Sequence, residues 1–472
     1  MSVIWGPGHT ARAAEWWRPR PPAAAAPATA PVSTAVDSAD RPAFRAFLVF
    51  TVILLLAPQE WFPFLRPLRI ALLAAGVALA TYVGGRLTHH RPVTIFPREM
   101  AYAAALAAWA VLTLPFSMHP GGSVELLQDM YLKTLIVFWL LANLASTAPR
   151  LRRVAWALTL VCVVPALTAL RNYATGNYMT GVAGMRIAGY NAPLTNNPND
   201  LALMLNLTLP LTAALLTLTA RRATRALLLG ILGLQVIAIV LTFSRGGSIT
   251  LGVILVALLW RFSRRRGAGL AVGVAVLALV VVPLLPSSYL DRLSSIDNME
   301  RDTTGSAQER WLVNGTAVQY IAGHPLIGTG IGQNTLALNQ MLTVRWTQVH
   351  NVYLQIGMEL GLPGLALFLA LLLGCVRAAR SAERAAAAAG VQDLSALAGA
   401  IKLSLIAYAV AAFFHPTAYH VYFYYFGALA LAARVAAHAL PASPAAARAG
   451  GRPLTTTSNA PARPLSVRQP VP

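Results

Sequence analysis

Apolar runs of about 17 to 22 residues, separated by short polar segments, recur along most of the chain. Each run is long enough to cross a hydrocarbon core of about 30 Å as a helix. The pattern places spans at about 46–62, 68–85, 100–116, 131–147, 154–170 and 200–220. Six more fall at about 226–243, 248–262, 268–285, 351–375, 396–414 and 421–437. Pro58, Pro63 and Pro67 leave only a tight turn between the first pair. The expected fold is therefore an all-α polytopic membrane protein of about 12 transmembrane helices.

Composition agrees. The 472 residues are 57% hydrophobic and 11% charged, with a mean hydropathy of +0.59, whereas soluble domains average roughly 25% charged residues.

The net charge of +21 comes almost entirely from arginine, since Lys133 and Lys402 are the only lysines. Every second loop is arginine-rich: Arg86, Arg91 and Arg98; Arg150, Arg152 and Arg153; Arg221, Arg222 and Arg225; Arg261 and Arg264 to Arg266; Arg377, Arg380 and Arg384. Positive charge in short loops stays on the cytoplasmic side. Both termini are thus expected in the cytoplasm, with a large outward-facing loop, 286–350, between the ninth and tenth helices. The charges are spread over separate loops, which suits orientation and contacts with membrane lipids and argues against nucleic acid.

The ends are low in complexity. Residues 1–43 and 438–472 are rich in Pro, Ala and Ser and read as disordered cytoplasmic tails around a membrane domain over 44–437. The start lacks the apolar core and cleavage site of a secretory signal. Cys162 and Cys375 fall inside expected spans, so no disulfide framework is expected.

Several chemistries find no motif. Neither lysine sits in a Gly-rich phosphate loop, and "GTGIGQ" (Gly328 to Gln333) lacks the third glycine of a dinucleotide fingerprint. There is no His-Glu-x-x-His helix, and Glu300 with Asp302 only approaches a paired-aspartate metal motif. No cofactor or metal is called for.

What remains on the outer side is arginine and histidine. Arg186 lies in "GMRIAGYNAPLTNNPNDLALML", followed by Asn191, Asn196, Asn197 and Asn199. Arg245 stands at a membrane surface in "LTFSRGGSIT", and Arg310 precedes Trp311 in the long loop. Forked guanidiniums facing one space suit phosphate or pyrophosphate. Taken singly, Arg245 reads equally as a snorkelling span end, and Arg186 and Arg310 as solvated loop charges, as do Arg292, Arg301 and Arg345. His350 opens the tenth span in "QVHNVYLQIGMELGLPG", as a polar helix-start residue or as a base. The spacing of His324, His350, His415 and His420 matches no metal-ligand pattern. Glu359, nine residues past His350, is expected on a different side of that helix.

In order, "SRGG", "SAQERW", "HPLIGTGIG" and "HNVYLQIGMELGLPG" resemble the O-antigen ligase and polymerase superfamily, over roughly half the chain from Arg186 to Leu431. The His-Asn pair followed by Glu-x-Gly is the most specific part. The resemblance implies a C-type glycosyltransferase-like membrane fold and a metal-independent, inverting enzyme with a periplasmic active site. Its donor would be a glycan on undecaprenyl pyrophosphate and its acceptor, in a ligase, the lipid A core. It also implies that Arg186, Arg245 and Arg310 hold the pyrophosphate and that His350 deprotonates the acceptor hydroxyl. A Wzy-type polymerase and a protein O-oligosaccharyltransferase share these motifs. A lipid-linked glycan transporter would carry polar residues deep in several spans, whereas the expected span interiors hold little charge beyond Lys402 and Glu359.

Overall fold

A computed structural model describes residues 40–179, 186–190, 192, 194–266, 306–342 and 347–440, without the side chains of 262–266 and 306–307. Among them the regular structure is entirely helical. The longer helices are α1 (Arg41–Leu56), α2 (Ile70–Thr88), α3 (Arg98–Leu112), a short α4 (Pro120–Leu126), α5 (Leu132–Leu144), α6 (Ala148–Val161) and α7 (Val163–Ala174). They continue as α8 (Pro198–Leu218), α9 (Arg222–Leu241), α10 (Arg245–Arg266), α11 (Ser306–Gly323), α12 (Asn334–Leu342), α13 (Val352–Ala388), α14 (Gln392–Ala411) and α15 (Val421–His438).

Six segments among the described residues are long and apolar enough to cross a membrane: Pro63–Thr88, Ala148–Ala174, Pro198–Leu218, Arg222–Leu241, Val352–Ala388 and Gln392–Ala411. The remaining expected spans correspond to the helices α1, α3, α5, α10 and α15, and to about 268–285, which lies outside the described residues. The expected tails fall largely outside them too.

Two expected spans differ in detail. The fifth is a pair, α6 and α7, meeting at Cys162, because Pro165 cannot donate to the helical ladder at the start of α7. The tenth, α13, is 37 residues long and breaks at Gly361, whose φ of 67° and ψ of −174° suit only glycine. The long segment between the ninth and tenth expected spans also contains two helices, α11 and α12, that the apolar pattern does not announce.

At the centre, α13 packs on α14, α15 and α3, while α8 packs on α14, α9, α6 and α10. The apolar window of α8 is 89% buried inside the protein, against 11% for the α2 segment, which presents Leu72, Leu73 and Val77 outward. α15 is lined with small residues, Ala428, Ala430, Ala432 and Ala433, which let neighbouring backbones approach. Cys162 and Cys375 are buried free thiols.

Two groups of charges inside the bundle are matched. Lys402 Nζ contacts Glu383, which also takes Arg261 Nη1 at 2.6 Å. Arg434, a charge within the twelfth expected span, grips buried Glu99 through both nitrogens at 2.8 and 2.5 Å. Paired in this way, such groups cost far less to bury than they would alone.

Candidate active site

The "SRGG" stretch joins α9 to α10. Phe243, buried at the joint, has φ of 53°, a left-handed conformation that is strained for an aromatic residue. The reversal puts Ser244 at the head of α10, where its Oγ accepts from Gly247 N at 3.2 Å and so caps the helix. The same hydroxyl donates to Asn199 Oδ1 at 2.7 Å. Arg245 is the first residue of α10. A helix start carries partial positive charge, so an anion near Arg245 would meet the guanidinium and the helix end together. Gly246 and Gly247 allow close packing: a Cβ would come within 2.6 Å of Phe414 Cβ at the first and 2.7 Å of Ala202 Cβ at the second.

Asn199 stands in the first turn of α8, which Asn197 caps through the amide of Asn199 at 2.8 Å. Asn199 Oδ1 also accepts from Arg186 Nη2 at 2.9 Å. One amide oxygen therefore fastens both Arg186 and the head of α10. The next residue, Asp200, meets His415 Nε2 at 2.7 Å through Oδ1, with both side chains largely buried. That contact ties the start of α8 to the chain leaving α14. His420 precedes α15; burial lowers its pKa, opposed by the nearby Asp200 carboxylate and reinforced by His415.

His350 is set by its neighbours. Asn351 caps α13, its Oδ1 accepting from Tyr353 N at 2.9 Å and Leu354 N at 3.2 Å. Val352 N donates to Ala412 O at 2.8 Å, holding this helix start against the end of α14. His350 Nδ1 lies 2.9 Å from the Gln348 carbonyl. A carbonyl can only accept, so Nδ1 carries the hydrogen and Nε2 keeps its lone pair. Burial lowers the His350 pKa to about 4, helped by the charges of Arg310 and His415 and opposed by the Gln348 carbonyl and Glu309. A histidine titrating near neutrality, the ordinary expectation for a base, is thus not what the free site contains. Glu309, beside Arg310 in α11, accepts from Thr347 Oγ1 at 3.1 Å.

With Tyr422 Oη of α15 donating to the Leu194 carbonyl at 2.9 Å, just before α8, the starts of α8, α10, α13 and α15 are joined at one end of the bundle. Asn199 joins Arg186 to Ser244, the residue before Arg245, while Arg310, His350 and His415 share one electrostatic neighbourhood. His324 is exposed instead and stacks on Tyr320, ring centroids 4.3 Å apart. Among the described residues no three His, Cys, Asp or Glu side chains are grouped to hold a metal ion. Glu300, Asp302, Arg292, Arg301, Arg345 and Asn191 lie outside the described residues.

Sequence reasoning passed over Asp200 and took Asn199 as one loop amide among several. The only local signal was an acidic residue in the first turn after an Asn-Pro helix start. Its partner, 215 residues away, left no trace in the pattern.

Residues 211–369 match the family model described as O-antigen ligase. The match runs from within α8 to within α13 and includes Arg245, Arg310 and His350; Arg186 precedes it. No curated protein matches the chain.

Proposed function

We propose that this chain, which carries an O-antigen ligase domain at residues 211–369, transfers a glycan from undecaprenyl pyrophosphate to the lipid A core at the periplasmic face of a bacterial inner membrane. The observation that carries the reading is His350, with Nε2 available as an acceptor, in the electrostatic reach of Arg310 at the bundle end that also holds Arg186 and Arg245.

In the reaction, His350 Nε2 takes the proton of an acceptor sugar hydroxyl. The hydroxyl oxygen bonds to the anomeric carbon of the donor from the face opposite the phosphate. The bond from that carbon to the phosphate oxygen breaks, and its electron pair leaves on the pyrophosphate. One displacement inverts the anomeric centre. Arg186, Arg245 and Arg310 hold the leaving charge, aided by the positive ends of the helices, and so supply the neutralisation a divalent metal provides in other transferases. The proton passes from His350 to water as products depart. Catalysis here is electrostatic preorganisation plus one base, and no cofactor enters it.

The same chemistry serves a Wzy-type polymerase, with another repeat unit as acceptor, or a protein O-oligosaccharyltransferase, with a hydroxyl side chain. A transporter fits less well, because interior charges among the described residues are held in fixed contacts, Glu99 by Arg434 and Glu359 by Asn334 and Tyr419. Lipopolysaccharide and lipid-linked glycan from a deletion strain separate the cases. Long chains stranded on the lipid carrier are expected for a ligase. Single repeats on the core indicate a polymerase, and unchanged lipopolysaccharide with lost protein glycosylation indicates the protein-directed enzyme.

A further inference from the structure

Glu359 is a fully buried carboxylate inside α13 that the mechanism does not use. Burying a carboxylate is expensive unless hydrogen bonds satisfy it, and here they do. Oε1 accepts from Asn334 Nδ2 at 2.5 Å, and Oε2 accepts from the Tyr419 hydroxyl at 2.6 Å. The backbone of Gly332 and the side chain of Gln355 lie near it.

The bond to Asn334 has a directional consequence. The Val349 N–H can only donate, so the amide presents its oxygen to Val349 and its NH₂ to Glu359 Oε1. The Asn334 oxygen is thereby turned the other way, where it accepts from Val349 N at 3.0 Å. Val349 is buried, and the residue after it is His350. From the other side, the chain after His350 is pinned by the Asn351 cap and by Val352 N on Ala412 O. The histidine backbone is therefore clamped at both flanks, one clamp being local and the other running through Glu359.

The break at Gly361 aligns the pieces. It frees Leu362 N to donate to Pro325 O at 2.8 Å, while Thr329 N and Gly330 N donate to Met358 O and Glu359 O at 2.9 and 3.0 Å. The glycine-rich stretch "HPLIGTGIGQN" thus lies along the broken helix and delivers Asn334 to Glu359.

We infer that Glu359 is a positioning residue, which acts through the side-chain amide of Asn334 to hold the Val349–His350 backbone so that His350 faces the acceptor hydroxyl. This rests on the reading of His350 as the base, and it gives both residues of the Glu-x-Gly motif a role. The glutamate orients the amide, and the glycine opens the helix for the loop that carries it.

The test is a set of variants assayed for kcat, KM and donor binding on purified full-length enzyme. Asn334→Ala removes the clamp without adding a buried charge, and Asn334→Asp sets two carboxylates against each other. Both should lower kcat by about 10- to 100-fold, the cost of a misplaced catalytic group, while donor affinity changes little for Asn334→Ala; its melting temperature should fall, because Glu359 and the Val349 N–H each lose a buried partner. In the Asn334→Asp/Glu359→Gln double variant, amide and carboxylate change places. The new amide donates to the new carboxylate, whose second oxygen still accepts from Val349 N, so kcat should recover relative to Asn334→Asp. Added to His350→Ala, Asn334→Ala should cause no further loss, because the clamp acts only through that imidazole. Full additivity on His350→Ala, wild-type kcat in Asn334→Ala, or a folded double variant no better than Asn334→Asp would each overturn the inference. Wild-type turnover in His350→Ala alone would instead overturn the underlying reading of the base.

Discussion

Arg186 Nη2 lies 2.9 Å from Asn199 Oδ1, an amide oxygen that also takes the Ser244 hydroxyl at 2.7 Å. This partner of the guanidinium is neutral. The bond to Asn199 orients the fork and itself adds no negative charge, which suits a group that must meet an anion. Asn199→Asp would place a carboxylate on the same spot, and donor affinity should fall tenfold or more, or about 1.4 kcal/mol. Asn199→Ser, which keeps a neutral acceptor, should fall less. Binding of undecaprenyl pyrophosphate to the detergent-solubilised enzyme checks this; equal loss in both variants would mean that charge at this position does not matter.

Arg245 opens α10 under the cap provided by Ser244. Arg245→Lys keeps the positive charge and loses the two-pronged donor, so donor binding should weaken and turnover should drop with it. Arg225→Lys, near the start of α9 on the side assigned to the cytoplasm, is the control expected to behave as wild type. Were Arg245→Lys also indistinguishable from wild type, the guanidinium would be a headgroup contact.

The site holds His350 neutral in the free enzyme, with a pKa of about 4 set by burial and by Arg310. A base works when deprotonated, so a lowered pKa extends activity toward acid. The acid limb of kcat/KM, which reports the free enzyme, should lie near pH 4, with a flat profile above about pH 6. A bound pyrophosphate offsets the charge of Arg310 and raises the imidazole pKa, so the limb in kcat should lie at higher pH. Arg310→Ala should move the kcat/KM limb upward. His350→Ala should lower turnover roughly 10²- to 10⁴-fold with donor binding intact. An unmoved limb in Arg310→Ala would remove that arginine from the site.

The alternating arginine loops put Ser306 on the outer side. A cysteine introduced there should react with an impermeant thiol reagent in intact spheroplasts. The native thiols, Cys162 and Cys375, are buried and give a low background. Labelling only after lysis would invert the topology.

Gly361 breaks α13 with a backbone conformation open only to glycine, and a Cβ there would run into the Leu326 carbonyl. Gly361→Ala should cost on the order of 1–3 kcal/mol from the backbone alone, with the carbonyl collision added. A melting temperature matching wild type in detergent would show that the break is not required.

The polytopic helical class and the approximate place of the spans are legible in the chain, because both follow from local apolar density. So are "SRGG" and the His-Asn helix start, whose local chemistry is readable: Ser244 and Asn351 cap, and the glycine pair admits a neighbour. Pro363 and the Glu-x-Gly run hint at the break in α13, but a hydropathy window averages over it. Where the polar side chains point is settled by the folded bundle alone. Glu359 meets Asn334 from 25 residues away and Tyr419 from 60, and Asn199 meets Ser244 from 45. Inside an apolar bundle a polar group must find a partner among whichever helices pack beside it, and that choice is made by helix packing, which has no local signature in the chain. The pKa of His350 belongs to the same category, since burial and the approach of Arg310 exist only once α11 and α13 have come together.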